Sequence, residues 1–374
     1  MIAVALLSLA IWLVLLFGRG MFWLAGDRDD RNEPAEPGIW PSVTAVVPAR
    51  DEADVIARSI GSLLSQDYPG PFNVILVDDQ SSDGTAEIAR ALPQQERLTV
   101  IGGSSRPPEW TGKLWAVRQG VAQAGAPDYL WLTDADIAHS PDNLRKLVAR
   151  AAAGNLVLVS LMAKLHCKTF AEKLMIPAFV FFFDMLFPFA LVNKPKNAMA
   201  AAAGGCMLVK RDALERAGNI DAIKKEIIDD CALGRALKKQ GPIWLGLTKR
   251  SQSIRPYEGL GEIRRMIARS AYAQLHYSPF ELMGTIVGMC LLFVAPPVLA
   301  IFATGTAQIA GALAWVAMAI AFAPMSLFYG LVPLWGILLP VIGVLYTAFT
   351  FDSAVQFWRG RGGMWKGRAQ AIRA

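Results

Sequence analysis

The sequence predicts an α/β domain built on a mostly parallel sheet and carried by apolar helices toward both ends of the chain. Three observations predict it. Between residues 41 and 257, short apolar runs alternate with helical stretches, the pattern of a parallel sheet covered on both faces. Outside that window lie apolar runs long enough to cross a bilayer. Acidic residues gather where the apolar runs end, as in "YLWLTDAD" at 129–136, and ligands of open α/β sheets bind beyond the carboxyl ends of strands.

The elements follow in order. The 374-residue chain is 54% hydrophobic with mean hydropathy +0.36, too apolar for an ordinary soluble enzyme. Residues 1–25 read as an uncleaved N-terminal anchor. As one helix, 2–25 would span about 36 Å at roughly 1.5 Å per residue. A cleaved signal peptide is disfavoured, because no lysine or arginine precedes the apolar run and no clear A-x-A site follows it. Residues 26–40, polar with Pro34 and Pro37, read as a linker. In the 41–257 domain, strands are expected at 43–47, 73–77, 98–101, 129–133 and 156–161, with helices at 53–66, 85–92, 114–124 and 141–153.

Within the domain, "MIPAFVFFFDMLFPFALV" at 175–192 is long enough to span, but Asp184 and two prolines interrupt it. An unpaired aspartate at mid-bilayer is costly, so this stretch reads as a helix on or dipping into the membrane surface, with a buried domain helix as the alternative. Residues 258–279 read as an amphipathic basic segment. Spans are expected at 282–303, 309–323 and 332–349 within 280–351, the second short enough to be re-entrant. Arg264, Arg265 and Arg269 precede the first span, so the positive-inside rule puts the α/β domain of a multi-pass chain on the cytosolic side of a bacterial inner membrane. The basic tail, 352–374, prefers the same side, which three full crossings would deny it; two to three crossings are therefore expected.

The net charge of +6 and pI of about 9.2 would suit a nucleic acid, an anionic membrane or a phosphorylated substrate. No RNP-type motif, zinc-finger spacing or basic helix with interleaved aromatics supports the first. Cys167, Cys206, Cys231 and Cys290 form no C-x-x-C, and with three histidines in the chain a Cys/His metal site is not expected.

Asp134 and Asp136 stand one residue apart at a strand end. Residues i and i+2 of a strand face the same way, and the turn that follows lets one carboxylate meet a metal and the other a ligand hydroxyl. Oxygen ligands suit Mg2+ or Mn2+, completed by substrate phosphates. Alone, D-x-D is equally a solvated turn. It is not alone. "VVPARDEAD" ends a strand at Pro48 and continues to Arg50, Asp51 and Glu52; "VDDQSSDGT" ends another in Asp78 and Asp79, where Ser82 or Asp83 could cap the next helix. Gly112 and Lys113 open a helix where backbone N–H groups and an ammonium could meet phosphate, without the spacing of a Walker A loop. Gly204–Gly205 allows close backbone approach or marks a bulge. Asp229–Asp230 starts a helix, either as dipole partners or as a general base.

Taken in order, "VVPARDEAD", "VDDQSSDGT", "GKLWA", "TDAD", "GGCML" and "IDDCALG" resemble glycosyltransferase family 2, the inverting GT-A enzymes, over about residues 43–237. Nearly the whole chain, including "RRMIARSAYAQLHYSP" and "GRGGMWKGRAQ", looks like the hopanoid-biosynthesis-associated members. It is more distantly similar to ceramide glucosyltransferase-like enzymes. The resemblance implies a Rossmann-like nucleotide-diphospho-sugar transferase domain with one N-terminal and two to three C-terminal transmembrane helices. It implies that Asp79, with Asp78, contacts the uridine of a UDP-sugar, that Asp134 lies near the ribose and that Asp136 binds the metal. Pro48, Arg50, Glu52 and Lys113 join the donor side, Gly204 and Gly205 the acceptor side. Asp230 matches the base, and Asp229 stands where the family has a glutamate. Arg265 and Arg269 fall in a degenerate Q/R-x-x-R-W element with Ser270 in place of its tryptophan, which weakens a processive polymer-synthase reading.

The expectation is a membrane-bound transferase moving a sugar, with inversion, from a UDP-sugar to a membrane lipid, plausibly a hopanoid. A divalent cation, Mg2+ or Mn2+, is the expected cofactor, and no nucleic-acid partner is expected. Alternatives are transfer to polyprenyl phosphate or a surface polysaccharide, and a non-catalytic membrane scaffold that retains the fold.

Overall fold

Seven consecutive buried residues form β1 (Val43–Ala49), the central strand of a computed structural model that describes residues 1–93 and 95–363. A strand buried on both faces reads as a near-continuous apolar run, and "VTAVVPA" has Thr44 as its one polar residue. The others are β2 (Phe72–Asp78), β3 (Leu98–Gly102), β4 (Tyr129–Leu132), β5 (Ile137–His139), β6 (Leu158–Lys164), β7 (Met207–Lys210) and β8 (Ile243–Ser253). They make one sheet in the order β3-β2-β1-β4-β7-β6-β8-β5. β3, β2, β1 and β4 run parallel. The expected mostly parallel sheet is mixed beyond them: β7 lies antiparallel between β4 and β6, and β5 is antiparallel to β8. The register pairs Ala49 with Asp78 and Asp78 with Gly102, so the acidic ends of β1 and β2 stand level.

Helix Ala53–Leu64 buries Ile56, Ile60, Leu63 and Leu64, the i, i+4, i+7, i+8 stripe of an amphipathic helix, in the core with Val47, Leu76 and Trp131. Helix Gly112–Gln123 packs on β1 and β2 through Gly120. A Cβ there would run into Val46 Cγ1 and stand 2.9 Å from Val77 Cγ2.

The chain divides into an α/β unit, Asp27–His166 with Leu191–Pro256, and a helical unit of Met1–Gly26, Cys167–Ala190 and the chain from Tyr257 on. Part of the segment expected as a linker, 26–40, belongs to the α/β unit. Asp29 N donates to Leu247 O (3.0 Å) and Leu247 N to Asp27 O (2.8 Å). The buried Asp29 accepts from Thr248 Oγ1 (2.6 Å) and lies 3.2 Å from Arg250, while Glu33 pairs with Lys146 (2.7 Å). The partners of its charges come from β8 and helix Asn143–Ala153.

In the helical unit, the first helix is shorter than expected. Ile2–Gly18 has 17 residues, roughly 26 Å at 1.5 Å per residue, because Gly20 (φ 64) and Met21 (φ 55) turn the chain. Among the described residues, four stretches are long and apolar enough to cross a membrane: Phe170–Val192, Pro279–Phe302, Gly305–Phe328 and Pro333–Trp358. The one expected to be short therefore has full spanning length. Phe170–Leu186 begins with a capping box between Thr169 and Glu172. Its Asp184 accepts a hydrogen bond from Phe189 N at 3.0 Å, so the carboxylate that argued against a span is satisfied within the protein. The basic segment, expected at 258–279, contains helix Leu260–Ala268, and Ser353 bridges Ala268 O and Tyr272 N. Residues 364–374 of the expected basic tail lie outside the described residues.

The contact at Gly120 gives a first prediction. Gly120→Val forces the helix away from β1 and β2 and should destabilise the α/β unit by about 1–3 kcal/mol, the usual cost of overpacking. Thermal unfolding of the full chain measures this; an unchanged midpoint would mean that the helix can shift freely.

Candidate functional site

The site begins where β4 stops. Thr133 N still donates to Val46 O (3.3 Å), then the chain turns and Asp134 O accepts from Ile137 N (3.3 Å). This frees the Asp134 side chain. Facing it is Lys113 in the first turn of helix Gly112–Gln123, whose start is fixed by Thr111 Oγ1 accepting from Leu114 N (3.3 Å). Lys113 Nζ lies 2.8 Å from Asp134 Oδ1 and 3.1 Å from Asp229 Oδ2. Burial works against the ammonium, but the charges of Asp134, Asp229 and Asp230 outweigh it and hold its pKa above the ordinary lysine value.

Asp229 and Asp230 open helix Asp229–Lys238. Asp230 Oδ2 accepts from Gly204 N (2.9 Å) and Oδ1 from Cys231 N (2.7 Å). Burial, then the charge of Asp229, pushes Asp230 up to about 6, against the pull of Lys113 and the two N–H donors. A Cβ on Gly204 would stand 3.4 Å from Lys113 Nζ and 3.5 Å from Asp230 Oδ2, ordinary contact distances, so it is the Gly204 N–H and not the missing side chain that serves the group. Gly205 does something else: it backs onto Ala163 and Ile137. Pro48, Lys113, Thr133, Asp134, Gly204 and Asp229 line one cavity.

At the ends of β1 and β2, Arg50 Nη1 donates to Asp79 O (2.5 Å) and lies 3.6 Å from Asp79 Oδ2. Asp79 is 1% exposed. Asp78 Oδ1 and Arg50 Nε are buried without a hydrogen-bond partner. Buried polar atoms left this way ask for an explanation, and a ligand at the strand ends supplies one. Asp51 (φ 50) and Gln80 (φ 58), the residues beyond the two strands, adopt left-handed conformations of the kind that collect at ligand sites. Neither Ser82 nor Asp83 takes the expected cap: Gly84, in a left-handed conformation, holds the cap position of helix Thr85–Arg90, and Asp83 Oδ1 accepts from Thr85 N (3.1 Å) from one residue before it.

Asp136 faces a different cation from Asp134. Arg255, just past β8, pairs with Glu52 and lies 3.6 Å from Asp136 Oδ2. Ile254 N donates to Asp136 O (2.9 Å). The structure thus gathers Lys113, Asp134, Asp229, Asp230 and Gly204 in one group, Arg50 with Asp79 in a second, and Glu52 with Asp136 in a third. Arg265 and Arg269 belong to the helical unit, where Arg265 pairs with Glu262 at 3.3 Å.

Sequence reasoning missed Arg255. No local pattern marks it, since the polar stretch "TKRSQS" precedes it almost directly. It also missed His139, which sits in a buried polar chain behind Asp134. Thr133 Oγ1 donates to Gly205 O (2.8 Å), so it must accept from His139 Nε2 (2.9 Å). That fixes the Nε2–H tautomer and leaves Nδ1 to accept from Ser251 Oγ (3.0 Å). Burial lowers the His139 pKa to about 3.

Among the described residues, no three His, Cys, Asp or Glu side chains converge as a metal cage. Two acids separated by one residue fit a hard divalent cation that keeps waters and phosphate oxygens as its other ligands; they do not fit a closed structural zinc site.

This arrangement, acidic strand ends around a cavity in a mixed Rossmann-like sheet, agrees with a glycosyl transferase family 2 model that matches residues 44–218, just under half of the chain, and the sheet is that of the GT-A fold. The chain is 32% identical over 163 residues to the succinoglycan biosynthesis protein ExoO of Rhizobium meliloti, covering 40% of this chain and 44% of that protein. It is 36% identical over 114 residues to the beta-monoglucosyldiacylglycerol synthase of Synechocystis sp., covering 29% and 22%. The chain thus spans less than half the length of these curated relatives. Among solved structures it is similar to the mannosyltransferase PcManGT from Pyrobaculum calidifontis, determined in complex with GDP-Man and Mn2+: TM-score 0.59, 21% identity, 98% of this chain and 99% of that one.

The buried histidine has a pH consequence. Its folded pKa, about 3, lies below the ordinary histidine value of 6.5, so the unfolded chain takes up a proton first and stability falls as pH drops through that window. His139→Gln should flatten this acid-side slope in thermal unfolding between pH 6.5 and 4. An identical slope in both proteins would show that His139 titrates normally.

Proposed function

We propose that the chain is a membrane-bound inverting glycosyltransferase that moves a sugar from a nucleoside-diphosphate sugar to a lipid acceptor. The observation that carries this reading is the cluster of Lys113, Asp134, Asp229 and Asp230 at the strand ends of a family 2 domain. The apolar helices of spanning length support a lipid acceptor, as does a relative named for a glucosyl-diacylglycerol product.

Asp230 is the base. Asp229 is neutralised by Lys113 at 3.1 Å, whereas Asp230 has its pKa raised toward neutrality, where a general base works best. It takes the proton of the acceptor hydroxyl; the hydroxyl oxygen bonds to the anomeric carbon from the face opposite the leaving group, and the bond from that carbon to the diphosphate breaks. Asp79 and the unpartnered Asp78 Oδ1 receive the nucleoside, with Arg50 alongside. Lys113 is placed to meet the diphosphate at the start of its helix. Asp136, with Asp134 beside it, would hold a divalent cation, Mg2+ or Mn2+, which supplies charge neutralisation for the departing diphosphate. UDP is the nucleotide that the family resemblance implies, with GDP the competitor to test because a protein of the same fold was solved with GDP-Man. The hopanoid-associated resemblance makes a hopanoid the first acceptor to try. The domain faces the cytosol of a bacterial inner membrane on the positive-inside argument.

Asp230→Asn should lower turnover about 10²–10⁴-fold, the usual contribution of a positioned acid–base group, with donor binding by calorimetry nearly unchanged. Wild-type turnover in this variant would remove Asp230 from the mechanism and favour a phosphate acceptor, which needs no base. Turnover should also fall as pH drops through about 6, where Asp230 takes up a proton; a rate flat from pH 7 to 5 contradicts the assignment. Chelation should stop transfer, and Mg2+ or Mn2+ should restore it.

A further inference from the structure

Helix Asp229–Lys238 carries the proposed base at its start and a basic face farther along. Ala232, Arg235 and Ala236, with Lys239 just past the helix end, fall at i, i+3, i+4 and i+7, one side of a helix. That side walls a groove of about 800 Å³. Five cations line it, Lys196, Arg216, Arg235, Lys238 and Lys239, against one acid, Glu226. Two of the five are already committed. Arg216 pairs with Asp212 at 3.1 Å, and Lys238 Nζ donates to the Val192 and Lys194 carbonyls. Lys196, Arg235 and Lys239 are exposed, and no carboxylate is paired with them among the described residues. Like charges gathered in a concavity repel one another and focus a positive potential on whatever enters. The size suits a small ligand or headgroup.

The groove's place in the chain narrows the ligand. Its rim begins at Pro195, just past Val192, where the 23-residue apolar stretch Phe170–Val192 ends. Lys238 fastens that end, through the Val192 and Lys194 carbonyls, to the groove helix. Lysines and arginines beside a membrane-length apolar helix attract acidic lipid headgroups. A soluble phosphate would gain nothing from that position.

We propose that this groove binds a phosphate-bearing anion, the headgroup of an acidic phospholipid at the membrane surface. The site is separate from the donor cavity, and its test needs no catalytic turnover, so it stands or falls apart from the transferase reading. The full chain, purified in detergent, is titrated with phosphatidylglycerol, with phosphatidylcholine and with inorganic phosphate, and retained adducts are counted by native mass spectrometry. The comparison protein is Lys196→Gln/Arg235→Gln/Lys239→Gln, whose changes are all on exposed side chains; its thermal midpoint checks that it folds. Wild type should retain phosphatidylglycerol over phosphatidylcholine. The triple variant should weaken that retention about fivefold per cation removed, roughly a hundredfold in all. Equal retention by wild type and variant, or equal retention of the two lipids, overturns the site. Charge-dependent retention of inorganic phosphate without phosphatidylglycerol overturns its assignment to lipid.

Discussion

One ammonium group holds the acidic centre together. Lys113 lies within ion-pair distance of Asp134 and Asp229, which come from the end of β4 and the start of a helix almost a hundred residues later. Without it, three partly enclosed carboxylates would face one another, and uncompensated buried charge is among the most expensive things a fold can carry. The ammonium also separates two neighbouring aspartates by role. Asp229 is paired with the cation, while Asp230 turns to the Gly204 and Cys231 amides and feels Asp229 as a repelling neighbour. Gly204 is part of the same constraint through its N–H, which donates to Asp230 Oδ2.

The two aspartates of "TDAD" are adjacent in purpose and divided in contact. Asp134 belongs to Lys113, and Asp136 to Arg255. On the proposed reading, a nucleotide diphosphate with its cation enters a site where acids outnumber cations but Asp134, Asp229, Glu52 and Asp136 already have cationic partners. The negative diphosphate and the positive metal then compete for partners of both signs at once, so partners are exchanged and no bare charge is created. That is cheaper than opening an uncompensated site for each ligand. The buried Asp78 Oδ1, which has no partner, is where the balance is left incomplete, and it lies on the side assigned to the nucleoside.

Much of this was legible in the sequence because it rests on local pattern. β1, β2, β3 and β4 are apolar runs that end in polar residues, and their helices show the 3.6-residue stripe, so the half of the sheet that carries Asp78, Asp79 and Asp134 could be read directly. Of the other half, only β6 was read, expected at 156–161. β5 is three residues long and pairs with β8 more than a hundred residues away, and no local signal announces such pairing. β7 follows Gly204–Gly205, so its glycines stood out where its strand did not. Arg255 meets Glu52 across 203 residues of sequence, and charge partners at that range are invisible until the sheet forms. The N-terminal helix was overread for the opposite reason. Hydrophobicity continues through residue 25, but the left-handed turn at Gly20 and Met21 ends the helix at Gly18.

Asp184 is where the acidic chemistry and the apolar helices bear on each other. In sequence it argues against membrane contact, because a lone carboxylate in an apolar helix is costly. In the structure it is 3% exposed and accepts from Phe189 N, so it closes the turn between two helical pieces and leaves the outer face of Phe170–Leu186 apolar. The objection to contact with lipid is thereby met by the protein's own backbone. A sugar nucleotide is water-soluble and needs only the polar cavity; an acceptor dissolved in a bilayer must be met at the bilayer. On the proposed reading, a chain that satisfies its buried aspartate internally, and keeps among the described residues four helices long and apolar enough to cross a membrane, suits the second requirement as well as the first.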